Sequence, residues 1–146
     1  MTFVVDASVA VKWFIEESHS AEAKAVLASR HVLIAPDLVV AEVCNAAWKK
    51  IREREISREH GTQIADSVGR SFDRLVGSQE LASRAFELAV TGDHAVYDCL
   101  YLALAEAESA VLVTDDARLL ALAKRNGLGD LVSPLAGFGG KKRGEK

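Results

Sequence analysis

Cysteine is scarce: the chain has only Cys44 and Cys99, and neither belongs to a C-x-x-C pair. That excludes a disulfide-stapled scaffold and a thiolate metal site; both residues fall in apolar helical patterns that suit buried free thiols. Long hydrophobic runs are absent too. No stretch approaches the roughly 20 apolar residues of a membrane-spanning helix. The opening MTFVVDASVAVKWF lacks a basic start and a small-residue cleavage site, so a cytoplasmic protein without a membrane partner is expected. A net charge of -3 is too small to steer the whole molecule toward any partner.

Phosphate-handling motifs are also missing. GFGGKK does not have the P-loop spacing G-x-x-x-x-G-K-[ST], and GLGDLV lacks the third glycine of a dinucleotide loop. No G-x-S-x-G supports a serine nucleophile. A haloacid-dehalogenase type of phosphotransferase would carry a second acid two places after the first strand's aspartate, where this chain has Ser8. A phospho-acceptor receiver would need paired acids after strand one and a lysine after a late strand, and neither is present. His19, His31, His60 and His94 show no H-E-x-x-H or other paired spacing and read as surface or loop residues.

What is present is an ordinary globular composition, 49% apolar and 27% charged, in 146 residues. One domain of that length buries roughly 70% of its unfolded surface. TFVVD, HVLIAP, AVLVT and DLVSP read as strands. ASVAVKWFI and SHSAEAKAVLASR read as helices, the latter capped by Ser18 or Ser20 with Arg30 in its last turn. Pro36 stops the second strand and suits the first turn of the helix in DLVVAEVCNAAWKKIRERE. Residues 57–77 read as a polar helix, although SFDRLVG fits a short strand equally well. SQELASRAFELAVTG is a helix closed by Gly92, AVYDCLYLALAEAES another, and DARLLALAKRNG a last one closed by Gly127. Strands written as continuous apolar runs between helices imply a single α/β domain over residues 1–135: a parallel sheet with helices on both faces. Residues 136–146, GFGGKKRGEK after Ala136, read as a flexible basic tail.

Within this frame three acids stand alone among apolar residues. Asp6 is the only charge between Met1 and Val11, Glu42 the only one from Leu38 to Trp48, and Asp98 the only one from His94 to Ala105. Elsewhere acids alternate with cations, as in KKIREREISRE. An isolated buried carboxylate is costly, so these placements need a cause. Helix capping can account for Asp6, a surface position for Glu42, and the helix dipole for Asp98. TDDA then adds Asp115 and Asp116 after a strand, one more acid than a cap requires. In a parallel sheet, Asp6 and Asp115/Asp116 fall together beyond the strands' carboxyl ends, where such folds bind ligands. Helical geometry lets Glu42 and Asp98 point to the same edge. Carboxylates without histidine or thiolate favour a hard dication, Mg²⁺ or Mn²⁺, and that chemistry serves phosphodiester hydrolysis.

The segments VVDASVAVKWF, PDLVVAEVCNA, VYDCLYLALAEA and LVTDDARLL, in that order over residues 1 to about 133, resemble PIN-domain ribonucleases of the VapC toxin type. The resemblance implies a PIN fold and a Mg²⁺- or Mn²⁺-dependent endoribonuclease. It also implies a toxin restrained by a cognate antitoxin protein and commonly paired with itself as a homodimer. Carried over by motif, the catalytic and metal-holding acids are Asp6, Glu42, Asp98 and Asp116, with Asp115 left to capping or an outer role. Ser8, Thr114 and Asn45 become supporting groups that orient carboxylates or face the site. RNA must still approach an acidic site, so Lys12, Lys49, Lys50, Arg52 and Arg118 are the expected phosphate contacts, with Lys141 to Arg143 as a mobile clamp. Two other readings stay open: a PIN nuclease of routine RNA processing, and a PIN-like module that binds without catalysis.

Overall fold

A computed structural model of the chain describes residues 1–139. Five strands form one parallel sheet: β1 (Thr2–Val5), β2 (Val32–Pro36), β3 (Arg74–Val76), β4 (Val111–Thr114) and β5 (Val132–Pro134), in the order β3-β2-β1-β4-β5. Between them lie α1 (Ala7–Ala10), α2 (Ser20–Ala28), α3 (Leu38–Arg52), α4 (Arg58–Ser67), α5 (Ser78–Gly92), α6 (Val96–Glu108) and α7 (Ala117–Arg125).

Successive strand residues point to opposite faces of a sheet. Phe3, Val4 and Val5 of β1, Leu33 to Pro36 of β2, and Leu112 to Thr114 of β4 are all buried, so both faces are covered. The expected α/β architecture is therefore the observed one. The chain moves outward from β1 through β2 to β3, then returns across the sheet to β4 and β5. Right-handed crossovers put α1 to α4 in one layer and α5 to α7 in the other. The reversal leaves a crevice between the carboxyl ends of β1 and β4, the position where open α/β sheets bind ligands.

Local departures from the sequence reading have physical causes. ASVAVKWFI makes one short helix, α1, and then a 3-10 turn at Val11–Trp13. Ser20 does not cap α2; its hydroxyl accepts the Glu17 amide at 2.8 Å, and His19 takes the cap position at φ 67. Arg30 lies beyond the helix with φ 65. Pro36 ends β2 rather than entering a helix, and α3 starts at Leu38. The ambiguous SFDRLVG supplies a strand: β3 pairs with β2, and Asp73 accepts the Leu33 amide at 2.8 Å. Asp93, at φ 51, closes α5 in place of Gly92. Gly92 is the last residue of α5, and a Cβ there would collide with Leu122 of α7.

After β5 the chain turns, and Phe138 packs edge-on against Phe3 with ring centroids 5.7 Å apart. The expected tail therefore begins with an ordered turn over Ala136–Gly139. Lys141 to Arg143 lie outside the described residues. Cys99 is buried and Cys44 half-buried, both free; burial pushes the Cys99 thiol up to about 11, which keeps it protonated and inert.

Candidate active site

Asp6 follows β1 directly and is only 5% exposed. Its Oδ2 accepts two hydroxyls, Ser8 Oγ at 2.7 Å and Thr114 Oγ1 at 2.7 Å. Ser8 also accepts the Asp115 amide at 3.1 Å, and Thr114 accepts the Asp116 amide at 3.0 Å. The turn after β4 is thus stitched to the turn after β1 through the groups that serve Asp6.

Desolvation raises the Asp6 carboxyl above its ordinary range; the Thr114 and Ser8 hydrogen bonds oppose this, and the charges of Asp98 and Asp116 add to it. Glu42, on α3, is likewise raised, first by burial, then by the charges of Asp6 and Asp98, against a hydrogen bond from Tyr101. Four acids from four segments therefore bear on one another electrostatically. Such repulsion is the state a bound dication relieves. The donors are all oxygens, which fits Mg²⁺ or Mn²⁺ better than zinc or copper. Among the described residues no three His, Cys, Asp or Glu side chains already stand in a closed coordination set.

The remaining site residues divide by what they touch. Asp116 caps α7, its Oδ1 accepting the Arg118 amide at 2.9 Å, so the capping role expected of Asp115 falls to its neighbour. Asp115 takes an outer role: its carboxylate meets Lys12 at 3.5 Å and His19 at 3.2 Å. Lys12 is no free RNA contact. Only 6% exposed, it also pairs with Glu17 at 3.1 Å. Lys50 bonds Glu55 at 3.0 Å and lies 3.8 Å from Glu17. Glu42, Asn45 and Lys49 line a cleft of about 480 Å³ together with Ser8 and Tyr97. Lys49 and Arg52 border a second hollow farther along α3, where Arg52 also covers the Trp48 ring at 4.8 Å. Arg118 is exposed beside Asp116.

Sequence reasoning missed two groups. Tyr101 is fully buried and donates to Glu42 Oε1 at 2.5 Å. Its hydroxyl in an otherwise apolar helix was the available signal. His94, which the sequence places as a surface or loop residue, shares a 2.8 Å hydrogen bond with Asp98 Oδ2. Its spacing four residues before Asp98 was the clue.

Comparison with known proteins agrees with this geometry. The family model for the PIN domain matches residues 3–125. The chain is 31% identical over 121 residues to Ribonuclease VapC3 of Pyrobaculum aerophilum, covering 82% of this chain and 92% of that protein. The crystal structure of PAE2754 from the same organism superposes with a TM-score of 0.70 at 27% identity, covering 92% of this chain and 84% of its own. A sheet reversed between β1 and β4, acids gathered at that reversal, and a family match over most of its length lead to one assignment: the chain belongs to the PIN-domain family.

Proposed function

We propose that this chain is a Mg²⁺- or Mn²⁺-dependent endoribonuclease and acts as the toxin of a toxin–antitoxin pair. The observation that carries the reading is Asp6: a carboxylate buried at the sheet's crevice, held by two hydroxyls, and feeling the charges of Asp98 and Asp116. The 31% identity to a protein named a ribonuclease supports the reaction class. Asp6 and Asp98 are the proposed principal ligands, with Glu42 and Asp116 completing the oxygen set. The ion, when bound, would supply charge that neutralises the phosphate and would lower the pKa of a water so that it attacks after losing a proton.

The chain's own residues do the rest. Ser8 and Thr114 fix the direction of Asp6 through one oxygen and leave its other oxygen for the site. Asp116 caps with Oδ1, which leaves Oδ2 for the same purpose. Lys12 neutralises Asp115 and so keeps that acid from adding repulsion near the crevice. Lys49, Arg52 and Arg118 supply phosphate contacts along the approach, countering the acidic centre. The proposal includes a small antitoxin protein as inhibitor, a homodimeric state and action in the cytoplasm, all from the family resemblance.

The test is to induce wild-type and Asp98→Asn chains in cells and follow growth and RNA integrity, alongside cleavage by purified protein with Mg²⁺, Mn²⁺ or EDTA. Growth arrest and metal-dependent cleavage by wild type alone are expected. Equal effects from both chains would remove the catalytic reading.

A further inference from the structure

The geometry points to Tyr101 as a positioning residue that aims the Glu42 carboxylate into the proposed metal site and ties together the two helices bearing Glu42 and Asp98. This rests on the proposed metal-dependent reading and names a group that the PIN motif assignments above leave out.

Tyr101 belongs to α6, three residues after Asp98, so the two share a helix face. Its side chain is wholly buried, while Glu42 is half-buried on the wall of the cleft. The phenol donates to Glu42 Oε1 at 2.5 Å across 59 positions of chain. One hydrogen bond therefore joins α6 to α3.

Glutamate has three rotatable side-chain bonds, and on an open cleft wall it would sample solvent. The Tyr101 bond removes that freedom and consumes Oε1. Oε2 is left without that bond, so Glu42 would offer a bound ion one oxygen or would accept from a water held by it. Outer partners of ligating carboxylates commonly change metal affinity by about 10- to 100-fold when lost.

The test is Tyr101→Phe, which keeps the ring and removes only the donor. Mn²⁺ binding is measured by calorimetry without RNA, and cleavage is followed against Mg²⁺ concentration. The expected result is a Mn²⁺ Kd weakened about 10- to 100-fold, a similar rise in the Mg²⁺ needed for half-maximal rate, and a maximal rate within a few-fold of wild type. The double variant Tyr101→Phe/Glu42→Gln should bind Mn²⁺ no more weakly than Glu42→Gln alone. Wild-type affinity in Tyr101→Phe, or a full multiplicative loss in the double variant, overturns the inference and leaves the nuclease reading standing. Wild-type protein that binds no Mn²⁺ removes both.

Should Tyr101→Phe not fold, 3-fluorotyrosine labelling reports on the unsubstituted chain, which has two tyrosines. The Tyr101 fluorine signal, identified with Tyr97→Phe, should move on Mg²⁺ addition in wild type and stay still in Glu42→Gln. A Tyr101 signal indifferent to Mg²⁺ in wild type overturns the inference.

Discussion

Thr114 Oγ1 donates a 2.7 Å hydrogen bond to Asp6 Oδ2 across 108 positions of chain, joining the carboxyl ends of two neighbouring strands. Thr114 is fully buried, so the bond forms out of water, where a donor to a carboxylate contributes about 1.5–3 kcal/mol. Thr114→Val keeps the shape, removes the donor to Asp6 and takes from the Asp116 amide its acceptor. Urea denaturation should show a loss in that range, and Mg²⁺ affinity should weaken about 10-fold or more because Asp6 is then steered by Ser8 alone.

Burial raises both Asp6 and Glu42 above their unfolded values of 3.8 and 4.5. For a raised acid the folded state binds more protons than the unfolded state between the two pKa values, so stability falls as pH rises through that window. Metal-free Asp6→Asn and Glu42→Gln should therefore be more stable than wild type near pH 7. The advantage should shrink as pH falls and vanish below about 4. Thermal melts in EDTA across pH 4 to 8 read this directly. Added Mg²⁺ should reverse the order, since wild type gains about 2.7 kcal/mol at 100 times its Kd and the variants gain less.

Lys12 is a buried cation between Glu17 and Asp115, whose side chains keep 27% and 25% of their exposure. Lys12→Met preserves the aliphatic stem and strands both acids. Breaking a fully buried pair costs about 3–5 kcal/mol, and partial exposure of the partners should lower that to about 2. Chemical denaturation measures it, with Lys12→Met unfolding at lower urea than wild type.

At Gly92 the helix propensity and the packing oppose each other. Alanine would favour the helix by about 1 kcal/mol, but its Cβ would press into Leu122 and stand 3.1 Å from Asn126 Nδ2. Leu122 is fully buried, so a shift of its side chain must displace core neighbours. Overpacking of this kind costs about 1–3 kcal/mol. Gly92→Ala should melt below wild type.

These cases show what the sequence could and could not convey. The parallel sheet was legible because Phe3–Val5, Leu33–Ala35 and Val111–Val113 are unbroken apolar runs, and such runs need cover on both faces. The acid-rich crevice was legible because Asp6 and the TDDA acids each follow a strand, so topology alone brings them together. Which acid caps α7 was not legible, because Asp115 and Asp116 differ only in which backbone amide each can reach. The fate of Lys12 depended on a tertiary meeting with Asp115 that no local period encodes. Tyr101 was hidden for the same reason: its partner lies on another helix, and a tyrosine in an apolar helix is by pattern a core residue.

Lys49 is the cation best placed to test the RNA approach. It lies seven residues beyond Glu42, two helical turns or about 10 Å along α3 on the same face. It borders both the 480 Å³ cleft and the hollow it shares with Arg52, so a strand leaving the acids along α3 passes it first. It is exposed, and charge reversal there should leave the fold and the acid cluster intact. Lys49→Glu should raise KM for RNA at low salt with little change in kcat. Loss of one phosphate contact on a single strand should lower the slope of log affinity against log salt by about 0.7. Glu80, exposed on α5, offers a control for net charge: Glu80→Lys should leave that slope as in wild type. An unchanged slope in Lys49→Glu would mean that the RNA takes another path from the crevice, with Arg118 as the next cation to reverse.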